Sequence, residues 1–212
     1  HGKDLIGLCP FHNDHSPSLV ITPDKNLWHC FGACQEPKGG TVIDWVKKAE
    51  GVSFRHAVEL LRRHDVALTP STARPVVKHG TVSKLPCPID PAADDSTALH
   101  QAVNFYHETL KDSPEALAYL EKRRIGHGGA IDAFKLGYGN RTLGLYLPDG
   151  NRQHGEKLRG QLQRLGVYSV KGHERFNGSV VFPVIDENGC VTEMYGRKIR
   201  DDLREGTAYH LY

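Results

Sequence analysis

Apolar positions along the chain recur with two different periods, and the change from one to the other marks the elements. Ser18-Leu19-Val20-Ile21-Thr22 is rich in β-branched residues, Pro23-Asp24-Lys25-Asn26 carries turn chemistry, and Leu27-Trp28-His29 returns, which predicts a hairpin. After Gly39-Gly40 the period lengthens. Thr41 is placed to cap a helix with Asp44 three residues on, and Val42, Trp45, Val46 and Ala49 form one apolar face. Ser53 opens a second helix, where Phe54, Ala57, Val58 and Leu61 repeat that spacing before the polar end Arg62-Arg63-His64.

From Thr69 to about Ser96 no period is sustained, and Pro70, Pro75, Pro86, Pro88 and Pro91 interrupt any regular element, so this stretch is expected to be an extended, semi-stiff linker. Helical spacing resumes with Leu99, Ala102, Val103, Tyr106 and Leu110, and Ser113-Pro114 starts a further helix through Arg124. Gly126-His127-Gly128-Gly129 is expected to be flexible. Short apolar runs around Leu136, Leu145 and Val180 then alternate with a helical stretch from about Glu156 to Leu165. Ser179 to Ile185 and Cys190 to Ile199 flank Asp186-Glu187-Asn188-Gly189, whose Asn-Gly pair predicts a hairpin. The expected division is a first module over 1–68, a linker over 69–96 and a second domain over 97–212.

Composition adds chemistry to the first module. Of five cysteines, Cys9, Cys30 and Cys34 lie close together. Cys9-Pro10-Phe11-His12 and Cys30-Phe31-Gly32-Ala33-Cys34 offer three thiolates and an imidazole in two short pairs around the hairpin, a donor set that suits Zn²⁺ better than Mg²⁺ or Ca²⁺. The predicted ligands are Cys9, His12, Cys30 and Cys34. His29 and His15 are the competitors for the fourth place, while Cys87 and Cys190 are expected to bind no metal. Four protein ligands leave no open position for a catalytic water, so the zinc is expected to be structural. The fold class is therefore α+β: a small zinc-ribbon module with short helices, a proline-rich linker, then a mixed α+β subdomain. A net charge of +2 does not by itself indicate nucleic acid. No apolar run reaches the ~18 residues of a membrane span and no signal stretch opens the chain, so no membrane partner and a reducing, cytoplasmic setting are expected. Because a metal motif follows so soon after His1, the native protein is expected to extend upstream.

Gly7-Leu8-Cys9-Pro10-Phe11-His12, Ser16-Pro17-Ser18, Trp28-His29-Cys30-Phe31-Gly32 and Gly39-Gly40 before an apolar helix resemble the zinc-binding domain of bacterial and phage DNA primases. That family usually has two residues between its last two cysteines where this chain has three, which is expected to reshape the knuckle. Phe105-Tyr106, Arg123-Arg124-Ile125, Phe134-Lys135-Leu136-Gly137-Tyr138, Arg175-Phe176, Val181-Phe182-Pro183-Val184 and Gly196-Arg197 resemble, in that order, the start of the primase polymerase core. The resemblance implies short RNA primers made from ribonucleotides on single-stranded DNA. It also implies Mg²⁺ chemistry in a downstream Toprim part whose acidic cluster is not recognisable here, so this chain alone is expected to be inactive. A replicative helicase is a possible further partner.

Single strands are held by cations along the backbone and by aromatic faces that stack bases. Lys25 at the hairpin tip and Trp28, His29 and Phe31 on the returning strand are candidates for reading template, with Phe31 assigned instead to covering the zinc site. Arg175, Arg197 and Lys198 stand where the resemblance places groove or nucleotide contacts, and arginine's planar fork suits phosphate oxygens. Lys122-Arg123-Arg124 and Lys157, Arg159 and Arg164 extend that track or form solvated faces. The alternative reading is a non-catalytic zinc-ribbon module of a mobile element that binds single-stranded DNA or docks a helicase.

Overall fold

The computed structural model describes residues 4–63, 85–150 and 153–212. The chain divides into two compact units, His1–Lys84 and Leu85–Tyr212. Each is built on its own four-stranded antiparallel sheet, with orders β1-β2-β3-β4 and β5-β6-β7-β8.

In the first unit, β1 (Leu5–Gly7), β2 (Leu19–Thr22), β3 (Leu27–Cys30) and β4 (Gly39–Thr41) follow one another across the sheet. The β2–β3 hairpin forms where the β-branched run predicts it, with Leu19 opposite Cys30 and Thr22 opposite Leu27. Strand β4 runs directly into α1 (Val42–Glu50), and the N–H and hydroxyl of Thr41 both donate to Asp44 Oδ2 at 3.1 and 2.9 Å. Helix α2 (Phe54–Arg63) follows, with Ala57 and Leu60 buried. The buried core around the cysteines consists of Cys9, Leu19, Trp28, Cys30 and Cys34, with Phe11, Ile21 and Trp45 packed against it. Phe11, Trp28 and Trp45 form a cluster with ring centroids 4.6 to 5.5 Å apart, contacts of the tilted and edge-to-face kind that add about 0.5–1.5 kcal/mol per pair beyond area burial.

In the second unit, α3 (Asp95–Lys111) is the central helix. The positions expected to face inward, Leu99, Ala102, Val103, Tyr106 and Leu110, are all buried. Its cap is Asp94, whose side chain accepts from the Thr97 N–H at 2.7 Å. The elements that follow are α4 (Pro114–Lys122), α5 (Gly128–Ala133), β5 (Gly137–Gly139), α6 (Leu143–Tyr146), α7 (Gln153–Arg164), β6 (Ser179–Ile185), β7 (Val191–Lys198) and β8 (His210–Leu211). Helix α3 lies so close to β5 that a Cβ on Gly137 would come within 2.6 Å of Tyr106 Cβ. Only glycine fits there without a shift.

Three expectations change in detail. The glycine-rich 126–129 stretch opens α5, because Ala130 and Ile131 donate to the His127 carbonyl and Ile131 is buried. The run around Leu145 is the single helical turn α6. Residues 64–84, most of the expected linker, lie outside the described residues. From Leu85 onward the chain belongs to the second unit: Leu85 and Ile89 are buried, and Gln161 Nε2 donates to the Ala93 carbonyl at 3.0 Å.

Candidate zinc centre and nucleic-acid interface

The β2–β3 hairpin brings the two cysteine-containing turns together. Phe31 N–H donates to the Ser18 carbonyl at 2.8 Å and Cys30 N–H to the Lys38 carbonyl at 2.7 Å, which fixes both sides of the second turn. In the first turn, Asp14 Oδ2 accepts from the Cys9 N–H at 2.8 Å and from the Ser18 hydroxyl at 2.6 Å, and these bonds hold the Asp14 carboxyl below the usual carboxylate range. One sulfur or nitrogen atom each from Cys9, His12, Cys30 and Cys34 then lies within 4.8 Å of every other. Cys9 Sγ and Cys34 Sγ are 3.7 Å apart, and His12 Nε2 is 3.2 Å from Cys30 Sγ.

These distances fit zinc. Two sulfurs at tetrahedral corners of a Zn–S bond of 2.3 Å stand about 3.8 Å apart. The extra residue between Cys30 and Cys34 does not keep the donors from closing. A Cβ at Gly32 would meet Ser18 Oγ at 2.7 Å and the His12 ring at 2.9 Å, so this glycine lets the longer turn lie against the histidine. The thiols are electrostatically unequal without metal. Burial, together with the neighbouring thiols of Cys30 and Cys34, pushes Cys9 up to about 12. For Cys30 burial acts the same way but is outweighed by Ser18, His12 and the Gly32 N–H, which bring it down to about 6. Zinc would take all three as thiolates, so loading releases protons.

Among the described residues this is the one group of three or more His, Cys, Asp or Glu side chains placed to hold a metal ion. His29 is not part of it: its ring is exposed and stands edge-on to Phe31 at 4.5 Å. Phe31 is itself 74% exposed. Together with Lys25, Lys38, Asp4 and Glu36 these two rings line a concave face of about 670 Å³ on the sheet, with charges of both signs.

In the second unit, Ser179 of β6 pairs with Lys198 and Val180 with Arg197. Arg197 stacks its guanidinium over the Tyr209 ring at 5.1 Å, and its buried Nη1 has no hydrogen-bond acceptor among the described residues. Lys198 Nζ donates to the Asn177 carbonyl, and burial with the nearby charge of Arg141 lowers its pKa. Arg175 is exposed beside the buried Phe176, its N–H donating to the Val167 carbonyl at 2.9 Å.

Family models match both units. The CHC2 zinc finger matches residues 1–74, and the N-terminal domain of the DNA primase catalytic core matches residues 105–208. The chain belongs to the bacterial-type DNA primase family. The DNA primase of Halalkalibacterium halodurans is 30% identical over 207 residues, which cover 95% of this chain and 32% of that protein. The DNA primase of Pseudomonas aeruginosa is likewise 30% identical over 207 residues, covering 95% and 30%. The chain thus spans about a third of the length of the curated relatives it matches. Among solved structures, the zinc-binding and RNA polymerase domains of Aquifex aeolicus primase align at 25% identity over 100% of this chain and 47% of that one, with a TM-score of 0.44.

Within the primase zinc finger, the predicted template-reading residues separate. Lys25 is exposed at the hairpin end, but Trp28 is 5% exposed and donates its indole N–H to the Thr41 carbonyl, so its ring is chiefly part of the packing around the cysteines. Side chains alternate along a strand. Trp28 and Cys30 therefore point inward, while Leu27 and His29 point out. The reverse assignment of Phe31 to the zinc cover is corrected by its exposure. Alternation was the signal that separates Trp28 from His29. In the primase core domain, Arg197 and Lys198 are consecutive on β7, so they leave opposite faces of the strand and do not form one cation pair. Arg141, which approaches Lys198 and carries a positive φ of 71°, had no signal in the sequence pattern.

Proposed function

We infer that the intact protein is a DNA primase that makes short RNA primers from ribonucleotides on a single-stranded DNA template. The observation that carries this reading is the presence, in one chain, of a CHC2 zinc finger, with the exposed rings of His29 and Phe31 on its surface, and the N-terminal domain of the primase catalytic core. The zinc centre is structural, holding the sheet so that His29, Phe31, Lys25 and Lys38 face the template. Arg175, Arg197 and Lys198 of the second unit contact the strand or an incoming nucleotide. Mg²⁺, held by an acidic Toprim part, supplies the phosphoryl-transfer chemistry when bound. The protein acts in the cytoplasm, with a replicative helicase as partner.

Primer synthesis by the intact gene product on single-stranded DNA, with ribonucleotides and Mg²⁺, tests this. Short RNA products from the wild type and their loss in Cys9→Ser are expected. Binding of single strands with no RNA synthesis by the intact product would replace this reading with that of a non-catalytic binding module.

A further inference from the structure

Lys48 lies on α1, away from both cysteine turns in sequence, yet its side chain reaches between them. Its Nζ donates to the carbonyls of Gln35 and of Pro37, the latter at 2.9 Å, and lies 5.5 Å from the centroid of the Phe11 ring. Gln35 follows Cys34, and Phe11 precedes His12. A single ammonium therefore touches the chain next to one ligand of each pair.

Electrostatics gives this placement a meaning. Zn²⁺ with three thiolates and a neutral imidazole carries one net negative charge, and Asp14 adds another beside Cys9. A partly desolvated anionic centre is stabilised by a cation close to its sulfurs.

We propose that Lys48 is a positioning and charge-balancing residue of the zinc centre, clamping the Cys34 turn through the Gln35 and Pro37 carbonyls and offsetting the negative charge of the thiolates, so that zinc retention depends on it. The proposal rests on the structural-zinc reading.

The test is the rate of zinc transfer from the full chain to a chromophoric chelator, after zinc content has been measured. Wild type should hold about one zinc per chain. Lys48→Met should release it about tenfold faster, the scale on which residues beyond the ligands affect metal affinity. Lys48→Arg, which keeps the charge, should stay close to wild type. Release from wild type should accelerate with added salt, because salt screens the attraction, and release from Lys48→Met should respond far less. A purely structural role would not produce that difference in salt response. Wild type without zinc would overturn the zinc reading itself. Zinc present with equal release from wild type and Lys48→Met, or Lys48→Arg as fast as Lys48→Met, would overturn the proposal alone.

Discussion

The indole N–H of Trp28 donates to the main-chain carbonyl of Thr41 at 3.1 Å, tying strand β3 to the residue that caps α1. This bond and the edge-to-face contact with Trp45 make Trp28 part of the frame around the zinc ligands. Truncating a buried aromatic costs about 3–5 kcal/mol, so Trp28→Ala should leave the first unit unfolded and poor in zinc. Zinc content and far-ultraviolet circular dichroism check this. Wild-type zinc content in Trp28→Ala would contradict it.

Phe31 should behave in the opposite way. Its exposed ring makes no contribution to the buried cluster, so Phe31→Ala should retain zinc and folding. Single-strand affinity should fall by about 1–3 kcal/mol, the range for losing one stacked base. Fluorescence anisotropy with a labelled oligonucleotide measures the change.

Metal removal has a selective readout. The chain contains two tryptophans, Trp28 and Trp45, and both lie in the first unit. Three of the five buried residues in that unit's cysteine cluster are zinc ligands, so without metal the cluster loses what holds its sulfurs together. A strong chelator should shift tryptophan emission to the red while leaving the melting transition of the second unit in place. Unchanged emission after zinc has demonstrably been removed would contradict this.

The second unit should lose stability in acid, in part through two of its carboxylates, Asp94 and Asp132. The Asp132 carboxyl is held low by Lys111, whose Nζ is 3.4 Å away, and by His107 at 3.1 Å; that of Asp94 is held low by the Thr97 side chain and N–H at the cap of α3. A depressed folded-state pKa gives stability that is present above the unfolded value, about 4, and is lost as pH falls through the folded value. The melting temperature of the second unit should therefore drop below about pH 4, and by less in Asp94→Asn and Asp132→Asn. Parallel pH profiles in wild type and both variants would contradict these roles.

Gly137→Ala probes the closest approach of α3 to the sheet. The added methyl would meet the Tyr106 backbone and Cβ, and overpacking of this kind costs about 1–3 kcal/mol. A lower melting temperature with unchanged tryptophan emission is expected, since the disturbed contact is remote from both indoles in sequence and unit.

The elements that the sequence made legible are those with a long repeated period or a dense local motif. The five positions of α3 that the spacing places inward, Leu99, Ala102, Val103, Tyr106 and Leu110, are buried, and the two cysteine turns bring their side chains into one cluster with His12. What was hidden depends on contacts between distant residues. β1 and β4 are three residues each and exist because β2 and β3 offer free edges. The Gly126–Gly129 composition speaks for flexibility, but the burial of Ile131 makes a short helix there. The bonds of Lys48 run to the Gln35 and Pro37 carbonyls, on a turn that precedes its own helix, and no local spacing announces them. Aromatic chemistry alone does not separate Trp28 from Phe31; strand alternation turns Trp28 inward, and Phe31, just past the end of β3, stays exposed.

The most direct measurement is equilibrium binding of a labelled single-stranded oligonucleotide to this chain, in parallel for wild type, Phe31→Ala and Arg197→Ala, over a series of salt concentrations. Binding that weakens with salt, falls in both variants and leaves zinc content unchanged is the predicted result. Wild-type affinity in both variants, or absence of single-strand binding by the zinc-loaded wild type, would contradict it.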